Sequence, residues 1–213
     1  MARCTCPRWL GFFLVSPLRR LTQNPRAIVG RWVSEGMTVL EPGPGMGFFT
    51  LDLARLVGPT GRVVAVDVQL NMLESLIARA RRAGLNDRID ERDTAGDDLG
   101  VGDLAGSVDF ILAFAVVHEM WHPDAFFAQA LRALKPGGRM LVAEPKLHVT
   151  KTAMARTVAL AEAAGFSIEE RPAIWSSRAV LFCRPPLRRT EAASPPGRPP
   201  SNGASRGGPV ASA

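Results

Sequence analysis

The sequence has few cysteines, few lysines and no long uninterrupted run of apolar residues. Its three cysteines cannot form a disulfide framework, which predicts a reducing, cytoplasmic location. A helix that crosses a membrane needs about 18 consecutive apolar residues, and no stretch reaches that length. These absences argue against disulfide-stabilised secreted proteins and against membrane-spanning proteins.

Positive charge is unevenly distributed along the 213 residues, whose net charge is +6. Residues 1–31 contain six arginines and no acid, giving +6, and residues 185–213 contain four arginines and Glu191, giving +3. The remaining 153 residues contain 16 basic and 19 acidic side chains, giving −3. Nucleic-acid binding needs positive charge clustered on a folded surface. A nucleic-acid partner therefore stays open only through the N-terminal arginines, and it is not favoured.

Composition predicts three parts of the chain. Residues 185–213 hold seven of the 17 prolines, with much Gly, Ser and Ala, and are predicted to form a disordered tail. Residues 1–31 contain a short apolar run, Trp9–Val15, without a small-x-small cleavage site, which favours a helical lid over a secretory signal. Residues 32–184 are predicted to form a single folded domain.

Strand and helix patterns alternate between residues 25 and 184. Predicted strands cover residues 38–41, 62–67, 88–92, 108–114, 139–143, 166–171 and 179–183, and predicted helices cover residues 25–33, 48–57, 71–83, 123–134 and 151–164. Apolar strands alternating with helices imply an α/β, Rossmann-like, doubly wound and mostly parallel seven-stranded sheet with helices on both faces. Ligands bind such sheets at the carboxyl ends of the strands, near the point where the strand order reverses.

A glycine-rich segment follows the first predicted strand. It reads Glu41-Pro42-Gly43-Pro44-Gly45-Met46-Gly47, a G-x-G-x-G pattern in which glycine lets the backbone approach a ligand closely. Glu41 is negative, so it suits a cationic ligand group better than a pyrophosphate. Asp67 closes the second strand, where a carboxylate can hold both hydroxyls of a ribose.

These residues resemble the class I S-adenosylmethionine-dependent methyltransferases. The first strand with its glycine segment, residues 39–47, is similar to the nucleoside loop of that superfamily, and Val64-Ala65-Val66-Asp67 is similar to its ribose-binding strand. The segment 134–141, with Lys-Pro-Gly-Gly, resembles the turn before its fifth strand. The resemblance implies a methyltransferase fold over residues 36–184 and S-adenosylmethionine as cofactor.

The resemblance also implies which residues contact the cofactor. Gly43, Gly45 and Gly47 would line it, and Glu41 would lie near its amino group. Asp67 would hold the ribose, and Val68 and Gln69 would flank the adenine. The superfamily often has an aspartate shortly after the third strand; here that position is Ala95, which leaves Asp93 or Asp97 as substitutes.

Histidines and acids follow the fourth and fifth predicted strands. His118 and Glu119 come after the fourth strand, and Glu144 and His148 come after the fifth, so two acid–histidine pairs are expected beside the cofactor site. A methyl acceptor that loses a proton needs a base, and histidine titrates in the required range. His118, Glu119 and His148 are therefore the candidate catalytic residues, with His118 favoured as the base.

The segment His118-Glu119-Met120-Trp121-His122 also matches the H-E-x-x-H pattern of zinc proteases. That pattern requires a helix, whereas Pro123 biases His122 away from helical geometry and a strand precedes the segment. We therefore expect no metal site.

A small-molecule methyl acceptor is the favoured substrate. The chain lacks the Asn-Pro-Pro-Tyr type of tetrapeptide used by adenine and glutamine methylases. An RNA methyltransferase that uses the N-terminal arginines, and a non-catalytic protein that binds S-adenosylmethionine, remain alternatives. Cys4 and Cys6 leave open an arsenic acceptor, because some related methyltransferases act on arsenic bound to cysteines.

Overall fold

A seven-stranded sheet organises the chain in a computed structural model that describes residues 23–96 and 98–186. The strand order is β3-β2-β1-β4-β5-β7-β6, in which β1 to β5 are parallel and β7 runs antiparallel to both of its neighbours. The strands are β1 (Thr38–Pro42), β2 (Arg62–Asp67), β3 (Ile89–Asp93), β4 (Val108–Phe114), β5 (Leu134–Pro145), β6 (Ser167–Glu170) and β7 (Ser177–Cys183). The strand order therefore reverses between β1 and β4.

The described residues form five α-helices: α1 (Pro25–Val29), which precedes β1, and four that connect strands, α2 (Thr50–Leu56), α3 (Leu70–Arg82), α4 (Pro123–Ala133) and α5 (Lys151–Ala164). Side-chain caps or a glycine residue fix several of the helix termini. The Asn24 side chain accepts hydrogen bonds from two backbone N–H groups at the start of α1, and Thr150 caps α5. Gly165 ends α5 in the left-handed conformation, with φ of 109°. Short 3₁₀ turns cover Asn86–Arg88, Gly102–Leu104 and Val117–Glu119.

The sheet separates two hydrophobic cores, because successive side chains of a strand point to opposite faces. In β4, Phe110 and Leu112 pack with α1, α2 and α3, whereas Ile111 and Ala113 pack with α4 and α5. All four side chains are almost completely buried. Burial on both faces explains why the central strands read as continuous apolar runs in the sequence.

The predicted fold class is confirmed, and most element boundaries agree within three residues. The strand 62–67, the strand 108–114 and the helix 151–164 were predicted with their observed bounds. The fifth strand is longer than predicted, because its first residues already pair: Leu134 with Val108, and Gly137 N with the carbonyl of Arg184. The first helix ends at Val29 rather than at residue 33, and the chain then turns to bury Trp32 and Val33.

The predicted C-terminal tail and most of the predicted N-terminal lid lie outside the described residues. Only residues 23–31 of the lid and residues 185–186 of the tail are described. Cys4, Cys6 and Asp97 also lie outside. Within the part of the chain that the structure describes, no helix has both the length and the apolar character needed to cross a membrane.

Candidate active site

A cavity of about 1080 Å³ lies at the carboxyl ends of β1, β2, β4 and β5. It therefore spans the point where the strand order reverses, which is where ligands bind in doubly wound sheets. The glycine segment and Asp67 line it in the part called here the cofactor end, and His118, Glu119 and His148 line it in the part called here the catalytic end. The sequence-predicted cofactor and catalytic groups thus share one cavity, because parallel strands bring their carboxyl ends to one edge.

The Asp67 carboxylate organises the cofactor end of the cavity. Its Oδ2 accepts a hydrogen bond from the Gly45 N–H at 3.2 Å, and its Oδ1 accepts one from the Gln69 N–H at 2.9 Å. A carboxylate has about four acceptor positions, so acceptor capacity remains on both oxygens for ligand hydroxyls. Burial raises the pKa of Asp67 above its ordinary value, and the two backbone hydrogen bonds oppose that shift. The carboxylate is therefore fixed in position at the end of β2, beside the glycine segment.

The three glycines of the segment have different structural roles. All three have positive φ, of 67°, 53° and 82° in chain order. A Cβ on Gly43 would lie 2.6 Å from Val116 Cγ2, and a Cβ on Gly47 would lie 2.3 Å from Leu76 Cδ1. A Cβ on Gly45 would meet no atom within 4 Å. Gly43 and Gly47 thus permit close packing against Val116, just after β4, and against Leu76 of α3, and Gly45 faces open space. Gly47 does not line the cavity, unlike the other two.

Gly45→Ala is therefore expected to weaken binding of S-adenosylmethionine at least tenfold. The added methyl group would project into the cavity, and the left-handed backbone would cost about 1–2 kcal/mol for any residue other than glycine. Gly84→Ala is the matched control, because Gly84 has φ of 64° and equal space but lies at the end of α3. Both variants should lower the melting temperature similarly, whereas calorimetry should show weaker binding for Gly45→Ala alone. Equal affinity in the two variants would remove Gly45 from the cofactor site.

Glu41 is a buried acid at the wall of the same end. Its side chain is 4% exposed, and Oε2 has no hydrogen-bond partner among the described residues. Burial raises the pKa of Glu41 from its ordinary value to about 8. A buried carboxylate oxygen without a partner costs free energy unless a donor reaches it. The cavity therefore offers a site for a cationic donor, which fits the ammonium group of S-adenosylmethionine.

Of the residues predicted to contact the adenine, the structure places some in the cavity and others outside it. Val68 and Gln69 line the cavity, and Val68 is a large apolar side chain that is 52% exposed there. Asp93 is exposed at the end of β3 and does not line the cavity. Thr94, Gly96 and Asp98 line it instead. Among the described acids after β3, Asp98 is thus the one that reaches the cavity, a role the sequence pattern did not assign.

The histidines and acids expected at the ends of β4 and β5 lie close together in the structure. His118 Nδ1 lies 2.5 Å from Oε2 of Glu144, so the histidine after β4 pairs with an acid near the end of β5. Glu119 Oε1 is 3.9 Å from His118 Nε2, and the His118 and His148 rings lie 6.1 Å apart between centroids. His118 therefore lies near Glu119, the acid on its own strand end, but its shorter contact is with Glu144, which the sequence did not indicate.

A bend at the end of β4 makes this pairing possible. Ala115 N donates to the Ala143 carbonyl at 2.7 Å and so continues the strand ladder, but its φ is 57°, which is unusual for a residue with a side chain. The chain then turns across the end of β5, where Glu144 lies. No sequence signal indicates this bend, because alanine has no preference for positive φ.

Charge at the catalytic end depends on Glu119 and its surroundings. Burial raises the pKa of Glu119 above its ordinary value, and the nearby His118 opposes that shift. The Glu119 side chain is nevertheless about half exposed in the cavity. Glu119 is thus placed to contact an acceptor, and Glu144, at 1% exposure, is not.

The H-E-x-x-H segment does not form a zinc site. Val117–Glu119 is a single 3₁₀ turn, Met120 is extended, and α4 begins only at Pro123. His118 and His122 therefore do not project from successive turns of one helix, as the protease pattern requires. Among the described residues, no cluster of three histidine, cysteine or acidic side chains could hold a metal ion.

Apolar side chains form much of the remaining wall of the cavity. Phe49 and Phe114 pack with ring centroids 4.5 Å apart, next to Phe48. At the mouth, Trp121, Leu147 and Trp175 are 60%, 97% and 79% exposed. Exposed aromatic and aliphatic side chains grouped at a cavity mouth are typical of a ligand-binding site.

Comparison with solved structures identifies the fold. A S-adenosylmethionine-dependent methyltransferase from Aquifex aeolicus superposes with a TM-score of 0.75 at 23% identity, covering 84% of this chain and all of the other. An arsenic(III) S-adenosylmethionine methyltransferase from Chlamydomonas reinhardtii superposes with a TM-score of 0.57 at 20% identity, covering 73% of this chain and 65% of the other. The architecture is thus the fold of the S-adenosylmethionine-dependent methyltransferases.

Sequence comparison gives the family. The methyltransferase-domain family matches residues 33–177, which is more than half of the chain, and the protein belongs to that family. The ubiquinone/menaquinone biosynthesis C-methyltransferase UbiE of Pseudomonas putida is 35% identical over 120 residues, which are 53% of this chain and 43% of the relative. The chain therefore spans less than half the length of the curated relatives it matches.

Proposed function

We propose that this protein transfers a methyl group from S-adenosylmethionine to a small, weakly charged acceptor that loses a proton in the reaction. The observation that carries the proposal is a single cavity lined by two chemically different sets of residues. One set is the glycine segment with Glu41 and Asp67, and the other includes His118, whose ring pairs with the buried Glu144. Family membership supports the reaction class.

The residues of the cofactor end fit the groups of S-adenosylmethionine. In our proposal, Asp67 accepts hydrogen bonds from the ribose, Glu41 faces the ammonium, and Gly43 and Gly45 let the backbone approach the nucleoside. Bound there, S-adenosylmethionine supplies an electrophilic methyl group on a sulfonium. The protein's contribution is chiefly to hold the acceptor atom in line with that methyl group, because orientation provides much of the rate in such transfers.

His118 is the proposed general base. The acceptor nucleophile forms a bond to the methyl carbon as the carbon–sulfur bond breaks, and the proton lost by the acceptor passes to Nε2 of His118. The imidazole becomes a cation beside Glu144 and Glu119, whose negative charges stabilise it. Positioned proton transfer of this kind contributes about 10²- to 10⁴-fold to a rate. His148, whose ring centroid lies 6.1 Å from that of His118, is the second candidate.

Charge and hydrophobicity of the lining support an apolar acceptor. Lys146 is the single lysine or arginine among the described lining residues, whereas four acids line the cavity: Glu41, Asp67, Asp98 and Glu119. Such a lining is unsuited to the phosphates of RNA, which bind clustered cations. The aromatic wall instead suits a flat apolar body such as a phenol or a hydroquinone. The similarity to C-methyltransferases named for ubiquinone and menaquinone biosynthesis points to the same class.

Calorimetric titration with S-adenosylmethionine and S-adenosylhomocysteine tests the cofactor proposal. We expect dissociation constants in the micromolar range for both, and no binding at millimolar concentration would contradict the proposal. Transfer from methyl-labelled S-adenosylmethionine is then measured with phenols and hydroquinones, with sugar phosphates and transfer RNA as comparison acceptors. Label should enter the apolar acceptors. Label in transfer RNA alone would favour the RNA alternative, and cofactor binding without transfer to any acceptor would favour the non-catalytic one.

A further inference from the structure

Glu144 makes more hydrogen bonds than its place at the end of β5 would require. Its Oε1 accepts from the Val117 N–H at 2.8 Å and from the His118 N–H at 3.3 Å, and its Oε2 lies 2.5 Å from His118 Nδ1. The side chain is 1% exposed. Because Oε1 is fixed by two backbone donors, the carboxylate cannot rotate to present a different oxygen to the ring.

The chemistry of the two groups determines where the imidazole proton lies. An ionised carboxylate only accepts hydrogen bonds, so the nitrogen that faces it must donate. Neutral His118 must therefore carry its proton on Nδ1, and Nε2 must act as an acceptor. A histidine whose Nδ1–H is held by a buried carboxylate has its tautomer and ring orientation fixed.

We propose that Glu144 is a positioning residue that fixes the Nδ1–H tautomer of His118, so that Nε2 accepts the proton of the substrate. The role of Nε2 rests on the proposed function, whereas the tautomer rests on the Glu144 contacts alone. Glu144 itself stays remote from the acceptor, because it is buried beneath the 3₁₀ turn Val117–Glu119.

The tautomer can be observed directly by long-range ¹H–¹⁵N NMR. The chain has three histidines, so the spectrum contains three imidazole patterns, and loss of one pattern in His118→Gln identifies His118. At alkaline pH, where imidazoles are neutral, His118 of the wild-type protein should show a protonated Nδ1 and an unprotonated Nε2. A proton on Nε2 in the wild-type protein would overturn the proposal without any variant being needed.

Glu144→Gln should reverse the tautomer while keeping the shape of the side chain. The single amide oxygen is expected to stay with the Val117 and His118 N–H groups, so the amide NH₂ faces Nδ1 and forces the proton to Nε2. Glu119→Gln is the matched control, because it removes the other carboxylate near the ring and should leave the proton on Nδ1. If Glu144 served only to cap the turn, Glu144→Gln would leave the tautomer unchanged, and that result would refute the proposal.

Kinetics separates this inference from the proposed function. With a hydroquinone acceptor, Glu144→Gln should lower kcat about 100-fold or more, within the range for loss of general-base catalysis. The dissociation constant for S-adenosylmethionine and the KM for the acceptor should change less than threefold. Unchanged kcat in a variant with a reversed tautomer would show that His118 is not the base. Absence of cofactor binding would contradict the proposed function and leave the NMR result to decide the role of Glu144.

Discussion

Asp67→Ala should weaken binding of S-adenosylmethionine about 100-fold. A hydrogen bond to a charged group contributes about 1.5–3 kcal/mol, and about 1.4 kcal/mol corresponds to tenfold in affinity. Loss of the proposed ribose contacts alone therefore accounts for roughly 100-fold. The substitution also leaves the N–H groups of Gly45 and Gln69 without their acceptor, which loosens the glycine segment.

Calorimetry on Asp67→Ala and on a matched variant tests this expectation. Asp93→Ala is the control. Asp93 lies beside Asp67 in the β2–β3 register but does not line the cavity, so this substitution removes one carboxylate from the same edge of the sheet. It should change the affinity less than threefold. Full affinity in a folded Asp67→Ala protein would remove Asp67 from the site, and a large loss in Asp93→Ala would restore Asp93 as the adenine contact. Thermal melting establishes that both variants are folded.

The second large effect is a pH dependence of cofactor binding that originates in Glu41. With its pKa at about 8, Glu41 is mostly protonated at pH 7 in the ligand-free protein. A bound ammonium favours the carboxylate, so binding below pH 8 must release the proton. Affinity should therefore fall as the pH is lowered from 8 to 6, approaching about tenfold per pH unit. Glu41→Gln should remove this dependence.

Calorimetry in buffers of different ionisation enthalpy measures the released proton directly. Close to one proton should be released per molecule bound at pH 6.5, and the Glu41→Gln variant should release markedly less. S-adenosylhomocysteine should behave like S-adenosylmethionine, because both carry the ammonium and only the latter carries the sulfonium. A pH dependence confined to S-adenosylmethionine would place the sulfonium, rather than the ammonium, near Glu41.

The same carboxyl group makes the stability of the ligand-free protein depend on pH. Between pH 4.5 and about 8 the folded protein keeps the Glu41 proton, whereas the unfolded chain releases it. The folded state thus binds more protons, and the free energy of unfolding falls as the pH rises through this range, by at most about 1.4 kcal/mol per pH unit. The raised pKa of Asp67 acts in the same direction. Denaturant unfolding of wild type and Glu41→Gln at pH 5 and pH 8 isolates the contribution of Glu41.

Much of the fold follows from local sequence patterns. The strands Arg62–Asp67 and Val108–Phe114 are apolar runs with turn residues on both sides, so their bounds can be predicted without knowledge of their neighbours. Glu41 and Asp67 were identified as site residues because each ends a predicted parallel strand. Such strands necessarily bring their carboxyl ends to one edge, and both acids do line the cavity.

The partners of individual side chains could not be predicted in this way. Gly43, Gly45 and Gly47 look equivalent in the sequence, but only packing against Val116 and Leu76 separates their roles. Asp93 ends β3 and Asp98 follows it, and the path of the chain alone decides which of these acids reaches the cavity.

The sequence by itself determined the class of fold, the edge of the sheet where the cavity lies and the two acids, Glu41 and Asp67, that line it, because these depend on patterns within single segments. Only the tertiary structure decided that His118 pairs with Glu144. That contact depends on the register of β4 against β5, in which Phe114 lies beside Ala143, and on the bend at Ala115. Both arise from interactions between segments distant in the chain.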